Sequence, residues 1–449
     1  MSRRRGHREV GQIGPLHFGG TTNQRVLLRS QVHREALRFP SHAIYWVPIS
    51  HTMQANGRPA IPRDGGRCSR YTSVFSTHNS GLITQQCSNR QMSTTADIPG
   101  SPDQVTPQWL SAVLSTPEHQ VAVESVDVTP IGTGQIGATY RVAVRYGQPE
   151  TGLPDSFVVK LPAQDETVRE RVALSYRSEH AFYTQVADTV AVPLPRCFHC
   201  AIADDGSQFA LLLADMTPAE QGDQIRGGTP AEARLAAIAL AGLHGPRWCD
   251  PAWLGFAGTV MPKPDEPTAR GLGDITRLAA TTTVDKLGDR LSSADRATVL
   301  ASADRIADWL LTAPDRFALL HGDYRLDNLL FDPDRTRVTV VDWQTLAVGL
   351  PARDLAYFVA TSLRSEERAG YERDLVNDYH QALTGYGVNE YDTETCWQDY
   401  RLGMLQVPLI STLGFAFSAS TDRGDEMTLA MLQRGSRAIR ELGTLELLG

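Results

Sequence analysis

The sequence predicts an α+β protein of two lobes: a small one built on an antiparallel sheet with one key helix, and a larger α-rich one. Three stretches carry that expectation. Residues 138–146, ATYRVAVRY, alternate with period two and are followed, across a Gly/Pro-rich turn, by a second strand-like run at 156–161. Residues 165–186 change to helical spacing, and helical periodicity dominates from Thr229 onward. Within that second part, residues 319–344, LLHGDYRLDNLLFDPDRTRVTVVDWQ, interrupt the helices with two short apolar runs and a set of polar residues beside them.

The chain of 449 residues is long enough for two to three ordinary domain masses, and 41% hydrophobic content supports a sizeable core. No apolar stretch reaches the length of a membrane span; residues 407–419 are too short and carry Ser and Thr. The formal net charge of -8 is unevenly spread. Residues 1–91 hold 13 Arg, no Lys and three acids, Glu9, Glu35 and Asp64, a net of +10, whereas the rest carries 30 basic and 48 acidic side chains, a net of -18. Residues 1–91 show no sustained period, while MSTTADIPGSPDQVTPQWLSAVL from Met92 reads as an ordinary protein start. The expectation is that translation begins at Met92 and that 1–91 is an over-extended gene prediction. The alternatives are a disordered basic arm for nucleic acid or a membrane surface, and an Arg-rich organelle transit peptide. Peptides recovered from before Met92 in natively expressed protein would sink the first reading. Six cysteines without a secretory signal place the chain in the cytoplasm. Cys197-Phe198-His199-Cys200 has C-x-x-C spacing, but no second ligand pair accompanies it, so its cysteines are read as incidental.

Taken in order, Thr106-Pro107 caps a first helix. Gly132, Gly134 and Gly137 match G-x-G-x-x-G, and the last glycine leads into a strand, not into the helix of a dinucleotide fold. Glycines at such a turn let backbone amides approach a polyphosphate. The run at 156–161 delivers Lys160 near its end, a compact positive charge for phosphate oxygens. No G-K-[ST] occurs, which excludes a Walker A loop. One helix is expected over 165–186, carrying Glu179, and a buried strand over 209–213 ends near Asp215. These form a first lobe, 92–216, and the second lobe spans 217–449.

In the second lobe Thr229-Pro230 starts a helix that ends near His244, read as a packing or capping residue. Residues 251–280 are rich in Pro and Gly and are expected to be a surface excursion. Further helices are expected at 293–311, from Pro351, and at 364–385, 393–419 and 425–445.

The polar residues of 319–344 carry the chemistry. If the runs 329–331 and 338–341 pair as an antiparallel hairpin, Asn328 and Asp342 face each other and supply an amide and a carboxylate oxygen to magnesium, which prefers oxygen and takes its remaining ligands from water and phosphates. Asp323, five residues before Asn328, lies where it can accept the proton of an attacking hydroxyl. Asp327 is read as solvated or locally hydrogen-bonded, and His321 as a brace for the loop.

His321-Gly322-Asp323 through Asn328, with Val341-Asp342-Trp343, resembles the aminoglycoside phosphotransferase and choline kinase-like superfamily of small-molecule kinases; Gln344 and GLPARDLAYF at 349–358 resemble its ecdysteroid-kinase-like (CHK kinase-like) branch. The resemblance implies a protein-kinase-like fold and transfer of the γ-phosphoryl group of ATP, or of GTP, to a hydroxyl of a small molecule, with Mg2+. It implies Asp323 as the catalytic residue, Asn328 and Asp342 as metal ligands, and Gly132, Gly134, Gly137 and Lys160, paired with Glu179, at the nucleotide. It makes Asp354 a structural brace and places the adenine hinge near Asp215. The acidic balance beyond Met92 suits a cationic acceptor; the ecdysteroid-like features suit an apolar alcohol. No nucleic acid or membrane partner is expected. The alternative is a nucleotide-binding pseudokinase serving as scaffold or regulator.

Overall fold

Alternation writes the sheet of the small lobe. In the computed structural model, which describes residues 98–131, 137–147, 152–312, 315–417 and 421–449, strands β1 (Val123–Pro130), β2 (Gly137–Tyr146), β3 (Ser156–Pro162), β4 (Cys197–Ile202) and β5 (Phe209–Ala214) form one sheet in the order β1-β2-β3-β5-β4. Every pairing is antiparallel. In β3, Phe157, Val159 and Leu161 are fully buried, so Lys160 between the last two points to the opposite face. The buried face packs against Trp109 and Leu110 of helix α1 (Pro107–Leu114), whose first turn is capped by the Thr106 side chain accepting from Trp109 N.

The expected single helix at 165–186 is two helices and a wider turn. Helix α2 (Glu166–Arg171) buries nothing, whereas α3 (Ala173–Ala181) buries Tyr176 and Glu179. The two segments serve different faces and pivot at Val172, which leaves helical geometry with ψ near 9°. Phe182–Val186 then winds as a π-helical turn, which lays the Phe182 ring flat on Trp343, 3.7 Å between centroids.

The larger lobe is helical around three short strand pairings. Strand β6 (Glu220–Gln221) pairs with β8 (Leu329–Phe331), and β8 pairs with β9 (Val338–Val340). Strand β7 (Ala318–Leu320) pairs with β10 (Ala347–Gly349). The helices are α4 (Pro230–His244), α5 (Glu266–Leu287), α6 (Ser293–Leu311), α7 (Ala352–Ser362), α8 (Ser365–Gly385), α9 (Thr393–Gly403), α10 (Gln406–Phe417) and α11 (Asp422–Glu441). Every residue of α7 is buried, so it runs through the middle of the lobe. The two-lobed α+β architecture expected from the sequence is the one observed.

Two expectations fail here. Much of the supposed excursion at 251–280 is α5, a 22-residue helix whose buried Ala269, Leu272, Thr276, Ala280, Thr283 and Val284 recur at helical spacing. Its Pro267 sits in the first turn, where no amide donor is needed, and Gly273 lets α6 approach so closely that a Cβ would lie 3.0 Å from Ala307 Cβ. The segment 393–419 is two helices, because Pro408 cannot continue a helix interior and is tolerated only in the first turn of a new one. Residues 1–91, with Cys68 and Cys87, lie outside the described residues, as do Gly132 and Gly134; Gly137 opens β2. Cys200, Cys249 and Cys396 are free thiols. Among the described residues no helix is long and apolar enough to cross a membrane.

Candidate active site

Two strands and one helix bring three charges to a point. Lys160 reaches out from β3 and places its Nζ 2.7 Å from Glu179 Oε1 on α3 and 2.8 Å from Asp342 Oδ1, just beyond β9. Glu179 is fully buried, and its second oxygen accepts from Gln344 Nε2 at 3.1 Å. Burial alone would lower the Lys160 pKa, but Asp342 and Glu179 together hold it above the usual lysine range. Burial raises the Glu179 carboxyl against the pull of Lys160. It would raise Asp342 too, yet Lys160 outweighs it and the Asp342 carboxyl lies below its ordinary value.

The β8–β9 register sets the rest. Leu329 pairs with Val340, and Val341 N donates to Asn328 O at 3.0 Å, so Asn328 and Asp342 leave the hairpin at its same open end. Asn328 donates its amide nitrogen to Asp323 O (2.8 Å) and Asp323 Oδ2 (3.2 Å), which directs its Oδ1 elsewhere. Asp342, with φ of 70°, occupies the left-handed region, and its side chain is 38% exposed. One amide oxygen and one carboxylate oxygen are thereby offered at the hairpin end, a donor set that suits a hard divalent cation completed by water and phosphate. Among the described residues no group of three or more His, Cys, Asp or Glu is arranged to hold a metal ion.

Asp323 is held from both sides. Tyr357 OH donates to its Oδ1 at 2.9 Å, and Arg325 Nε donates to its Oδ2 at 2.9 Å. Arg325 also donates to Asp327 Oδ2 at 2.9 Å. Burial would lower the Arg325 pKa, but Asp323, Tyr357 and Asp327 carry it upward. Asp327 is buried, not solvated, which corrects half of its expected reading: it accepts from Gln224 N and from Arg423 at the start of α11. The loop beneath is fixed by Asp354 on α7, whose oxygens accept from His321 N (2.7 Å) and Gly322 N (3.1 Å). His321 is fully buried; it donates through Nε2 to Val341 O at 3.0 Å and accepts Asp323 N at Nδ1, so it ties the loop that carries Asp323 to the strand end before Asp342. His244 packs alongside, with Nδ1 2.8 Å from Tyr379 OH. At Gly322, φ is 84° and a Cβ would collide with the Thr345 carbonyl oxygen, so only glycine fits.

At the end of β5, Asp215 accepts from Arg141 Nε (2.7 Å), Ser156 Oγ (2.7 Å) and Thr217 Oγ1 (2.7 Å). Burial pulls its carboxyl upward, but these donors win and bring it to about 2.

Of the residues singled out from sequence, the structure gathers Lys160, Glu179 and Asp342 into one ion cluster, and Asn328 and Asp323 into a second, hydrogen-bonded pair beside the hairpin. Sequence reasoning missed Tyr357 and Arg325. A signal for Tyr357 was present: it lies three residues after Asp354, on the same face of α7, and therefore turns toward the same loop.

A model of the phosphotransferase enzyme family matches residues 127–389. Among solved structures, the chain is similar to a putative aminoglycoside phosphotransferase from Ralstonia eutropha, at 19% identity over 71% of this chain and 95% of that one, with a TM-score of 0.40. It is also similar to an ethanolamine kinase from Plasmodium vivax, at 13% identity over 70% and 82%, TM-score 0.42. A third is the GDP complex of aminoglycoside 2'-phosphotransferase-IIIa, at 17% identity over 70% and 93%, TM-score 0.41. No curated protein matches.

Proposed function

Because the chain belongs to the phosphotransferase enzyme family, we propose that it moves the γ-phosphoryl group of ATP to a hydroxyl of a small molecule. The observation that carries this reading is the meeting of Lys160, Glu179 and Asp342 at the open end of the hairpin that also carries Asn328, next to Asp323. Residues 92–216 hold the nucleotide and 217–449 the acceptor.

Lys160, presented by Glu179, takes the α and β phosphates of the donor, and the glycine loop with Gly132, Gly134 and Gly137 covers them. Asn328 and Asp342 would hold magnesium, which would supply positive charge against the phosphate oxygens. Asp323 receives the acceptor's hydroxyl group. Its carboxylate is kept in one orientation by Tyr357 and Arg325, so the hydroxyl is aligned before reaction and little reorganisation remains at the barrier. Asp354 and His321 hold the loop at the correct height.

The acceptor is an alcohol; Gln344 and GLPARDLAYF support the ecdysteroid-kinase-like branch and with it an apolar alcohol. The test is magnesium-dependent transfer from ATP, and in parallel from GTP, to a panel of aminoglycosides, choline-like amines, sugars and sterol alcohols, with Asp323→Asn as control. Transfer to one class, lost in the variant, supports the reading and names the substrate. Nucleotide binding without transfer to any member favours the scaffold alternative, and absence of nucleotide binding overturns the proposal.

A further inference from the structure

Away from the hairpin, on the far side of α7, a guanidinium is buried without a counter-charge. Arg353 is 4% exposed, and among the described residues no carboxylate lies within ion-pair distance of it. Its Nε and one terminal nitrogen both donate to the same neutral acceptor, Gln406 Oε1, at 3.0 and 2.6 Å. Its plane lies over the Trp309 ring, 4.5 Å from the centroid. Burial has lowered its pKa to about 10 against the upward pull of the neighbouring Asp354 carboxylate. The adjacent carboxylate, Asp354, is turned to the backbone of His321 and Gly322.

The guanidinium opens on a cavity of about 30 Å³ whose lining includes Lys263, Thr312, Arg316 and Gly349. That space is enough for a small ion. Gly349 keeps the approach clear, since a Cβ there would lie 2.8 Å from an Arg353 terminal nitrogen. Of the three cations at the cavity, Arg316 is neutralised by two hydrogen bonds to Asp399, both 2.8 Å. Lys263, with its ammonium 5.3 Å from the Phe317 ring centroid, has no carboxylate partner among the described residues. Among the described residues the lining thus carries two positive side chains, Arg353 and Lys263, with no carboxylate at ion-pair distance. A buried charge is costly unless paired, and an arginine cannot shed its charge by deprotonation near neutral pH.

We propose that this cavity is a binding site for a small anion, of halide to carboxylate or phosphate size, held by Arg353 and Lys263. The anion supplies the counter-charge that the protein omits, and Arg353 meets it with donors that Gln406 does not use. Gln406 in turn donates to Gly322 O at 3.1 Å, so the occupied site would abut the loop that carries Asp323. This site is separate from the phosphotransfer centre and does not depend on that reading.

The test is chloride-35 NMR on the full chain at constant ionic strength, with a bulky sulfonate as balancing anion. Excess line broadening that saturates at one site per chain is expected, with affinity falling about tenfold or more in Lys263→Ala and lost in Arg353→Met. Lys263 is partly exposed, so its variant keeps the fold and decides the matter alone if Arg353→Met does not fold. Formate and inorganic phosphate added as competitors tell a carboxylate ligand from a phosphate. No saturable broadening in the unaltered chain, or equal broadening in the chain and its Lys263→Ala variant, overturns the proposal.

Discussion

Tyr357 and Arg325 grip opposite oxygens of Asp323, and the distinction between gripping and reacting is measurable. Asp323→Asn should lower kcat by about 10²–10⁴, the usual range for a positioned acid–base group, while leaving nucleotide binding by calorimetry unchanged. Tyr357→Phe removes only one donor worth roughly 1 kcal/mol; a loss in kcat of several-fold to about tenfold is expected, with the KM for nucleotide unchanged. A Tyr357→Phe enzyme as slow as Asp323→Asn would show that the phenol does more than orient. Gly322→Ala is different in kind, since it meets the Thr345 carbonyl oxygen and a φ of 84°. Backbone strain alone costs about 1–3 kcal/mol, so urea unfolding should shift to lower denaturant before any assay is run. At this scale Asp323, Asn328 and Asp342 could be picked out because spacing along one loop and one hairpin brings them together. Tyr357 is marked only indirectly, by its spacing from Asp354 on α7, and Arg423 could not be reached from local pattern at all, because its approach depends on how α11 packs.

The elements that were legible are those whose ends are chemically marked. Thr229-Pro230 with Glu232 forms a complete capping box, and α4 begins where that signature says. The β8–β9 hairpin could be inferred from two β-branched or apolar runs around Asp332, Pro333 and Asp334. Helix α5 was hidden because Pro267, Gly271 and Gly273 imitate a loop, although Gly273 serves close contact with α6 and the helix's other buried residues recur at helical spacing. The junction of β5 with the larger lobe offers a pH test. Asp215 is held far below its unfolded value of 3.8, at about 2, so its contribution to stability is complete above about pH 4 and is lost as pH falls through 2. Asp215→Asn should therefore show a shallower fall in stability between pH 4 and pH 2 than the unaltered chain, read from thermal unfolding midpoints. Identical slopes would mean that Arg141, Ser156 and Thr217 hold the junction without it.

For the molecule as a whole, a single lysine ties the sheet of one lobe to helix α3 and to the hairpin of the other. In the proposed reaction a nucleotide must share or displace one of those partners, and its binding should raise the unfolding midpoint by mass action, about 2.7 kcal/mol at a hundredfold excess over Kd. Asp342 is the exchangeable partner, partly exposed and placed where phosphate must come. It also sits in the left-handed region, which asparagine tolerates better than alanine does. Asp342→Asn should therefore keep the fold and lose turnover, yet bind metal-free ADP more tightly than the unaltered chain, because Glu179 is then the one carboxylate of the cluster left competing for the charge of Lys160. A variant that captures donor without consuming it would be a trap, able to hold the cleft occupied while candidate acceptors are fished from a metabolite extract.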